Sequence, residues 1–255
     1  RPCHECHYCR KAEYRHCLSM RFFGSALRFP HIQGGFREIL AVPAAQAFPI
    51  SDALTLEEAA LAEPLAVCLH AARRAELAFG QRVLVTGCGP IGILCIAVAR
   101  LAGAGEIVAT DVSDFPLDLA RKMGADVVIN VAKEPQKLAA YNDNKGTFDV
   151  LFEASGNEVA IRTAIDALRP GAIAVQVGLA GSIPVPINAL VGKEIEMRGT
   201  FRFDAEFREA VDLLNRQTGV FRPLITRVLP FTDAVAAFEL AADRNAAMKV
   251  QLDFG

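Results

Sequence analysis

The stretch from Arg82 to Asp111, RVLVTGCGPIGILCIAVARLAGAGEIVATD, constrains the fold more than any other part of this chain. Val83–Val85 is a short β-branched run of strand length. Glycines follow at 87, 89 and 92 in a GxGxxG arrangement, and an apolar run from Ile91 to Ala102 stops at Gly103. A second strand-like run, Ile107–Thr110, ends on Asp111. Each part has a task in holding a dinucleotide. Gly87 permits a tight turn, Gly89 lets backbone approach a pyrophosphate, and Gly92 lets the helix pack on the sheet. The helix start offers free N–H groups and a partial positive charge to the phosphates. Asp111 is placed to accept hydrogen bonds from the adenosine ribose hydroxyls. A lone GxGxxG is weak, but strand, helix and acid in register point to a nicotinamide cofactor, NAD.

Composition excludes several other classes. With 255 residues, 52% of them hydrophobic, the chain is long and apolar enough for one or two cored domains and is no disordered segment. A net charge of −2 gives no electrostatic case for nucleic acid or an anionic membrane as partner. No apolar run approaches the length of a membrane span, and Arg1 opens no signal peptide. Nothing marks a secreted chain, so the expected compartment is the cytoplasm. The first residue is not Met and cysteines appear at once, so the natural start is expected upstream of Arg1.

Four of the seven cysteines, Cys3, Cys6, Cys9 and Cys17, form a C-x2-C-x2-C-x7-C pattern. Four thiolates this close can complete a tetrahedral shell around Zn²⁺ and tie down a loop with little core of its own. Disulfides are the bland alternative, although cysteines separated by two residues pair poorly. An iron–sulfur cluster is the sharper rival, but its usual fourth cysteine follows after three residues and precedes Pro, whereas Cys17 follows after seven and precedes Leu18. Cys68, Cys88 and Cys95 are expected as buried small residues.

From Arg82 onward strand and helix alternate. Strands are expected at Val83–Thr86, Ile107–Asp111, Val127–Asn130, Val150–Glu153, Ile173–Val177 and Glu194–Gly199. Helices are expected at Ile91–Ala102, Pro116–Met123, Lys133–Asn142 and Glu158–Leu168, with Gly181–Val191 as a crossover or edge element. This order predicts an α/β fold with a doubly wound parallel sheet. Before it, Met20–Val42 reads as loop followed by strand. Thr55 and Glu58 read as a capping box, and Pro64 suits the first position of the next helix. After it come a helix at Ala205–Asn215, a strand at Thr226–Leu229, a helix capped near Thr232 or Asp233, and a strand at Met248–Leu252. The expected organisation is one nucleotide domain, 63–203, inserted into a second, incomplete domain made of 1–62 and 204–255.

Taken together, the four-cysteine lobe, AEPLAVCLHAARRA at 62–75, VTGCGPIG at 85–92, FEASG at 152–156, VQVGLAG at 175–181, RGTFRF at 198–203 and MKVQL at 248–252 resemble the zinc-containing medium-chain dehydrogenases, in their polyol branch. The resemblance spans essentially the whole chain. It implies a Rossmann domain beside a GroES-like, β-rich catalytic domain whose N-terminal part is absent here. It implies hydride transfer between a secondary alcohol of a sugar acid or polyol and NAD, with a catalytic Zn²⁺ as Lewis acid. The family's zinc-binding Cys and its His-Glu pair come from a stretch upstream of Arg1, so Glu63 alone is implied at that metal, where the bland alternative is a helix-capping carboxylate. Pro90 and Ile91 with the glycine turn are implied under the pyrophosphate. Val177, Gly178, Leu179, Thr200, Phe201 and Arg202 are implied on the nicotinamide side. Arg202 and Phe203 are implied to face substrate, although the branch more often carries Tyr at the position of Phe203. Phe22 or Phe23 matches an aromatic wall of the cleft, and Arg21, Arg28 and Arg202 are candidates to pair with a substrate carboxylate. The resemblance further implies a homo-oligomer, dimer or tetramer, to which the apolar Ile183–Leu190 segment could contribute. Sorbitol, xylitol and threonine dehydrogenases of the same branch, and a zinc-stabilised dinucleotide-binding module without catalysis, are the rival readings.

Overall fold

The computed structural model describes residues 1–179 and 181–255; Ala180, within the VQVGLAG motif, lies outside the described residues. In chain order α1 (His7–Arg10), α2 (Leu56–Ala59) and α3 (Ala62–Arg74) precede the first strand. There follow β1 (Arg82–Thr86), α4 (Pro90–Leu101), β2 (Glu106–Asp111), α5 (Asp114–Lys122), β3 (Val127–Asn130) and α6 (Pro135–Ala139). Then come β4 (Phe148–Glu153), α7 (Glu158–Ala167), β5 (Leu168–Gln176), α8 (Ile187–Lys193) and β6 (Glu196–Gly199). The chain finishes with α9 (Glu206–Arg216), β7 (Ile225–Pro230), α10 (Ala234–Ala242) and β8 (Lys249–Asp253).

Strands β1 to β6 form one parallel sheet in the order β3-β2-β1-β4-β5-β6. This is the Rossmann order, with its reversal point between β1 and β4. Side-chain alternation along each strand divides the core between two faces. Val83, Val85, Ile107, Ala109, Val150 and Phe152 face one layer, where α3, α4 and α9 contribute Leu65, Ile93, Ile96, Val211 and Leu214. Leu84, Val108, Ile129 and Leu151 face the other, where α7 contributes Ile161 and Ile165. Phe221 and Leu224 also lie in the first layer, so its packing runs beyond residue 203. Strands β7 and β8 pair in parallel as a separate two-stranded sheet.

The helix ends follow from local chemistry. α4 stops at Gly103, whose φ of +85° allows the Ala104 N–H to reach the Ala99 carbonyl at 3.0 Å. Asn157 caps α7, its side-chain oxygen accepting from the N–H groups of Val159 and Ala160.

Several expectations need correction. Met20–Val42 contains turns and bends but no strand, because Gly24, Pro30, Gly34 and Gly35 interrupt it and no strand lies beside it to complete a ladder. Instead it folds on itself, with Gly24 N–H donating to Gln33 O at 3.1 Å and Ile32 N–H to Ser25 O at 3.2 Å. α3 begins at Ala62, so Pro64 is its third residue; its missing N–H is harmless there because first-turn donors have no helical partner. The helix expected over Lys133–Asn142 is α6 followed by a 3₁₀ segment, Ala140–Lys145, broken at Asp143 and Asn144. Gly181–Val191 contains the start of a helix, α8, and β5 begins at Leu168 instead of Ile173. Thr55 caps α2 through Glu58 N–H, but the Glu58 carboxylate turns to Gly219 N–H at 2.8 Å, so only half of the capping box forms.

Candidate functional site

The carboxyl ends of β1, β2, β4 and β5 meet at one crevice, and the glycine turn forms its floor. Gly87 has a φ of +85°, and a Cβ there would lie 2.8 Å from Ser155 N. A Cβ on Gly92 would lie 1.8 Å from the Gly87 carbonyl oxygen, so turn and helix touch backbone to backbone. Gly89 differs: a Cβ there meets nothing within 4 Å, which leaves open space above the start of α4. Pro90 opens that helix and no side chain caps it, so its first N–H groups are free for an anion. Ile91 is half-buried beside it.

Asp111 ends β2 and is held by three N–H donors. Cys88 N–H reaches one carboxylate oxygen at 2.7 Å, and Val112 and Ser113 reach the other at 2.7 and 3.0 Å. The carboxylate therefore ties the glycine turn to β2 and keeps lone pairs for ribose hydroxyls.

Sequence reasoning missed Glu153. Only 1% exposed at the end of β4, its carboxylate accepts from Ser155 N–H at 2.9 Å, from Gly156 N–H at 3.0 Å, and from the Ser155 hydroxyl and the Gln176 amide. Its backbone oxygen accepts from Val177 and Gly178 N–H at 2.8 and 2.7 Å. One buried acid thus sets the Ser155–Gly156 loop behind Gly87 and the Val177–Gly178 rim; an acid before Ser-Gly at a strand end was the available signal.

The other wall is built where the segment after β6 meets the N-terminal lobe. Thr200 N–H donates to Gln176 O at 3.2 Å, while its hydroxyl oxygen is enclosed and has no hydrogen-bond partner among the described residues. A buried hydroxyl without a partner is costly, and a ligand amide would satisfy it. Arg202 has a φ of +56°, and its guanidinium lies 4.5 Å from the Phe22 ring centre and 4.6 Å from that of Phe201. Burial lowers its pKa, and among the described residues no carboxylate lies within 4.0 Å of it. The structure thus gathers Phe22, Phe201 and Arg202. Phe203 instead stacks on Phe207 at 5.9 Å, and Phe23, Leu179, Arg21 and Arg28 are exposed.

The four cysteine sulfurs lie within 4.8 Å of one another, with Cys3 and Cys9 at 3.9 Å. A tetrahedral ion with bonds of about 2.3 Å to sulfur separates its ligands by about 3.8 Å, so the cage fits, whereas a disulfide needs about 2.05 Å. Backbone N–H groups of Leu18 and Cys9 hold the Cys6 thiol down to about 6, while burial first and neighbouring thiols second push Cys9 up to about 12. The lobe docks on the site wall: His16 stacks on Phe201, and Arg15 pairs with Asp204 through side chain and N–H. Cys68, Cys88 and Cys95 are buried, and all seven cysteines are free thiols.

Glu63 is exposed in the first turn of α3, where a carboxylate also favours the helix N-terminus. Among the described residues no group of three potential metal ligands includes it, so these residues do not build a catalytic zinc site of three protein ligands. His70, two turns on, faces elsewhere: its Nδ1 lies 3.0 Å from Glu206, which also pairs with Arg73 at 2.9 Å. Burial alone would raise the Glu206 carboxyl, but His70, the N–H groups of Asp204 and Glu206 itself, and Arg73 hold it down to about 2. A carboxylate whose folded pKa lies below its ordinary 4.5 stabilises the fold above pH 4.5 and loses that contribution as pH falls towards 2. Glu206→Gln is therefore expected to lower stability by about 1–3 kcal/mol near neutral pH. The gap should close between pH 4.5 and 2 in urea titrations; a gap that is constant with pH would remove Glu206 from this account.

The Rossmann sheet, glycine turn and cysteine cage define a class of dinucleotide-dependent oxidoreductases, and the comparisons agree. A family model described as zinc-binding dehydrogenase matches residues 90–216. The chain belongs to the zinc-binding dehydrogenases, enzymes that work with a nicotinamide dinucleotide and zinc. It is 42% identical to the L-idonate 5-dehydrogenase (NAD(P)(+)) of Escherichia coli K12, over 100% of this chain and 74% of the relative. The crystal structure of the E. coli L-idonate 5-dehydrogenase superposes with a TM-score of 0.93 at 42% identity, covering 100% of this chain and 73% of that one. A D-xylulose reductase A of Aspergillus niger is 35% identical over 93% of this chain and 67% of its own length. A zinc-binding dehydrogenase from Sinorhizobium meliloti 1021, bound to NADP, superposes with a TM-score of 0.87 at 26% identity, covering 99% and 73%. No helix among the described residues is long and apolar enough to cross a membrane.

Proposed function

We propose that this chain serves a dehydrogenase that oxidises L-idonate at C5 to 5-dehydrogluconate. The alcohol carbon passes hydride to NAD and the hydroxyl proton leaves to solvent. In this reading Gly87, Gly89, Pro90, Ile91 and Gly92 hold the pyrophosphate and Asp111 the adenosine ribose. Val177, Gly178, Leu179, Thr200 and Phe201 meet the nicotinamide side. Phe22 walls the substrate cleft beside Arg202, while Phe23 and Phe203, which the resemblance also placed there, lie away from that group. Cys3, Cys6, Cys9 and Cys17 hold a structural zinc, and Glu63 stands beside the catalytic zinc of the complete protein, whose Lewis acidity polarises the substrate oxygen. Seven free thiols suit a reducing, cytoplasmic compartment. A dimer or tetramer is part of the same reading, with Ile187 and Val191 of α8 exposed at the sheet's β6 end.

The observation that carries the sugar acid is Arg202. A non-glycine residue at positive φ is strained by about 1–3 kcal/mol, and a partly buried guanidinium without an acid partner adds to that cost. A substrate carboxylate would supply the missing partner by a charge-assisted bond. A substrate panel with NAD⁺ on the full-length protein tests it, comparing L-idonate, D-gluconate, sorbitol, xylitol and L-threonine. L-Idonate is expected to give the highest kcat/KM. Arg202→Gln should raise its KM roughly tenfold or more, from the loss of about 1.5–3 kcal/mol, while sorbitol changes less. A higher kcat/KM for sorbitol or xylitol would favour a polyol dehydrogenase, the second reading, which the 35% identity to D-xylulose reductases supports.

A further inference from the structure

The segment 199–204, which leaves β6, is tied at its two ends and loosely held between them. At its start, Arg74 Nε donates to Gly199 O at 3.1 Å and Thr200 N–H to Gln176 O at 3.2 Å. At its end, Asp204 N–H donates to Glu206 Oε2 at 2.8 Å, and Glu206 is fixed to α3 through His70 and Arg73. Among the described residues the N–H groups of Phe201, Arg202 and Phe203 donate to no backbone carbonyl. Yet Arg202 keeps a φ of +56°, which a non-glycine residue holds only when its surroundings impose it. The imposing contacts come from the cysteine lobe. Arg15 engages both carboxylate oxygens of Asp204, its guanidinium reaching Oδ2 and its backbone N–H reaching Oδ1 at 2.9 Å, so the pair has a single orientation. Exposed ion pairs are worth little, but here only 25% and 20% of the two side chains is exposed. His16, next in sequence, lies over Phe201 with the ring planes 13° from parallel. The Arg202 guanidinium rests against Phe201, of its own segment, and against Phe22, of the chain leaving the lobe. Its seat is therefore built half from each side, and the docking of lobe on segment sets its geometry.

We propose that Asp204 is a positioning residue: by receiving Arg15 it locks Arg202 into the seat shared by lobe and segment, and so sets how tightly a substrate carboxylate is held. The proposal rests on the reading of Arg202 as the partner of that carboxylate. Steady-state kinetics of the full-length protein with L-idonate and sorbitol at saturating NAD⁺ test it, with zinc content measured alongside. Asp204→Ala should raise the KM for L-idonate roughly fivefold, with zinc content unchanged and with kcat and the sorbitol KM within about twofold. Asp204→Asn, which keeps an oxygen for the Arg15 N–H, should do less, and Arg15→Lys less than Arg15→Gln. Should Asp204→Ala fail to fold, Asp204→Asn and Arg15→Gln read the same split between KM and kcat. The decisive variant is double. In Arg202→Gln protein, Asp204→Ala should change KM by no more than about 1.5-fold, because the group it positions is gone. Effects that multiply in the double variant would overturn the proposal, as would an equal fall in kcat for both substrates with KM unchanged. A rise in KM that comes with loss of zinc would do the same, and so would an unchanged KM in the Asp204 and Arg15 variants where Arg202→Gln raises it. If L-idonate is not oxidised, or Arg202→Gln leaves its KM unchanged, the carboxylate reading itself has failed and the proposal falls with it.

Discussion

Gly92→Ala is expected to weaken NADH binding at least about 100-fold, a loss of about 2.7 kcal/mol. The new Cβ would lie 1.8 Å from the Gly87 carbonyl oxygen and 3.0 Å from its carbon, both backbone atoms that no rotamer change can move. Relief requires either α4 to lift from the turn or Gly87 to shift, and Ser155 backs Gly87 so closely that even a Cβ on Gly87 would lie 2.8 Å from its backbone nitrogen. Since Gly87 N–H also pairs with the Thr110 carbonyl at 2.8 Å, the strain spreads into β1 and β2. Overpacking of this kind costs about 1–3 kcal/mol of stability or more. Gly89→Ala provides the contrast. Its Cβ meets no protein atom within 4 Å, so the fold should be barely affected while NADH binding still falls, because the methyl group enters the space assigned to the pyrophosphate. Fluorescence titration of NADH, with thermal unfolding alongside, reads both effects. Unchanged NADH affinity in either variant would mean that the turn does not hold the phosphates.

Cys9→Ser should remove one equivalent of zinc from the full-length protein and unfold the lobe that contains it. Residues 1–17 bury little apart from Cys9 and Cys17, so a metal is the only strong cross-link available to them. Structural zinc in small domains binds with about 10–16 kcal/mol of apparent free energy, most of it spent on ordering the chain. Losing it should lower the melting temperature by several degrees and free the Arg15–Asp204 contact and the His16–Phe201 stack. Arg202 would then lose part of its support on the substrate side, while the glycine turn, on the other face of the crevice, should retain most of its NADH affinity. Metal analysis that finds iron with visible absorption, or zinc unchanged by the substitution, would remove these cysteines from the metal assignment.

Much of the nucleotide half was legible because its signals are local. The GxGxxG turn, the β-branched runs on either side and the glycine ending α4 each act within a few residues, and a parallel sheet needs apolar strands buried on both faces. The cysteine cage was legible for the same reason: α1 and the turns around it bring 3, 6, 9 and 17 together over one short segment. The segment Met20–Val42 was not legible. Its aromatic and apolar residues suggest a strand, but a strand exists only when a neighbour accepts its hydrogen bonds, and that is a property of the assembled molecule.

What the sequence by itself determined is the Rossmann order of elements, the phosphate turn, the acid at the end of β2 and the four-sulfur cage. Each depends on spacing along the chain, where geometry is set by a few torsion angles. What only the tertiary structure decided is how distant pieces close the crevice. Glu153 draws the loops after β4 and β5 together, and Asp204 receives Arg15 from the lobe. Glu206 joins His70 and Arg73 of α3, and Asn245 accepts from Ser113. These partners lie more than 130 residues apart in three of the four cases, with separations of 189, 136 and 132. No local pattern encodes such pairs, because the partners meet only once the hydrophobic layers have packed and brought distant segments side by side.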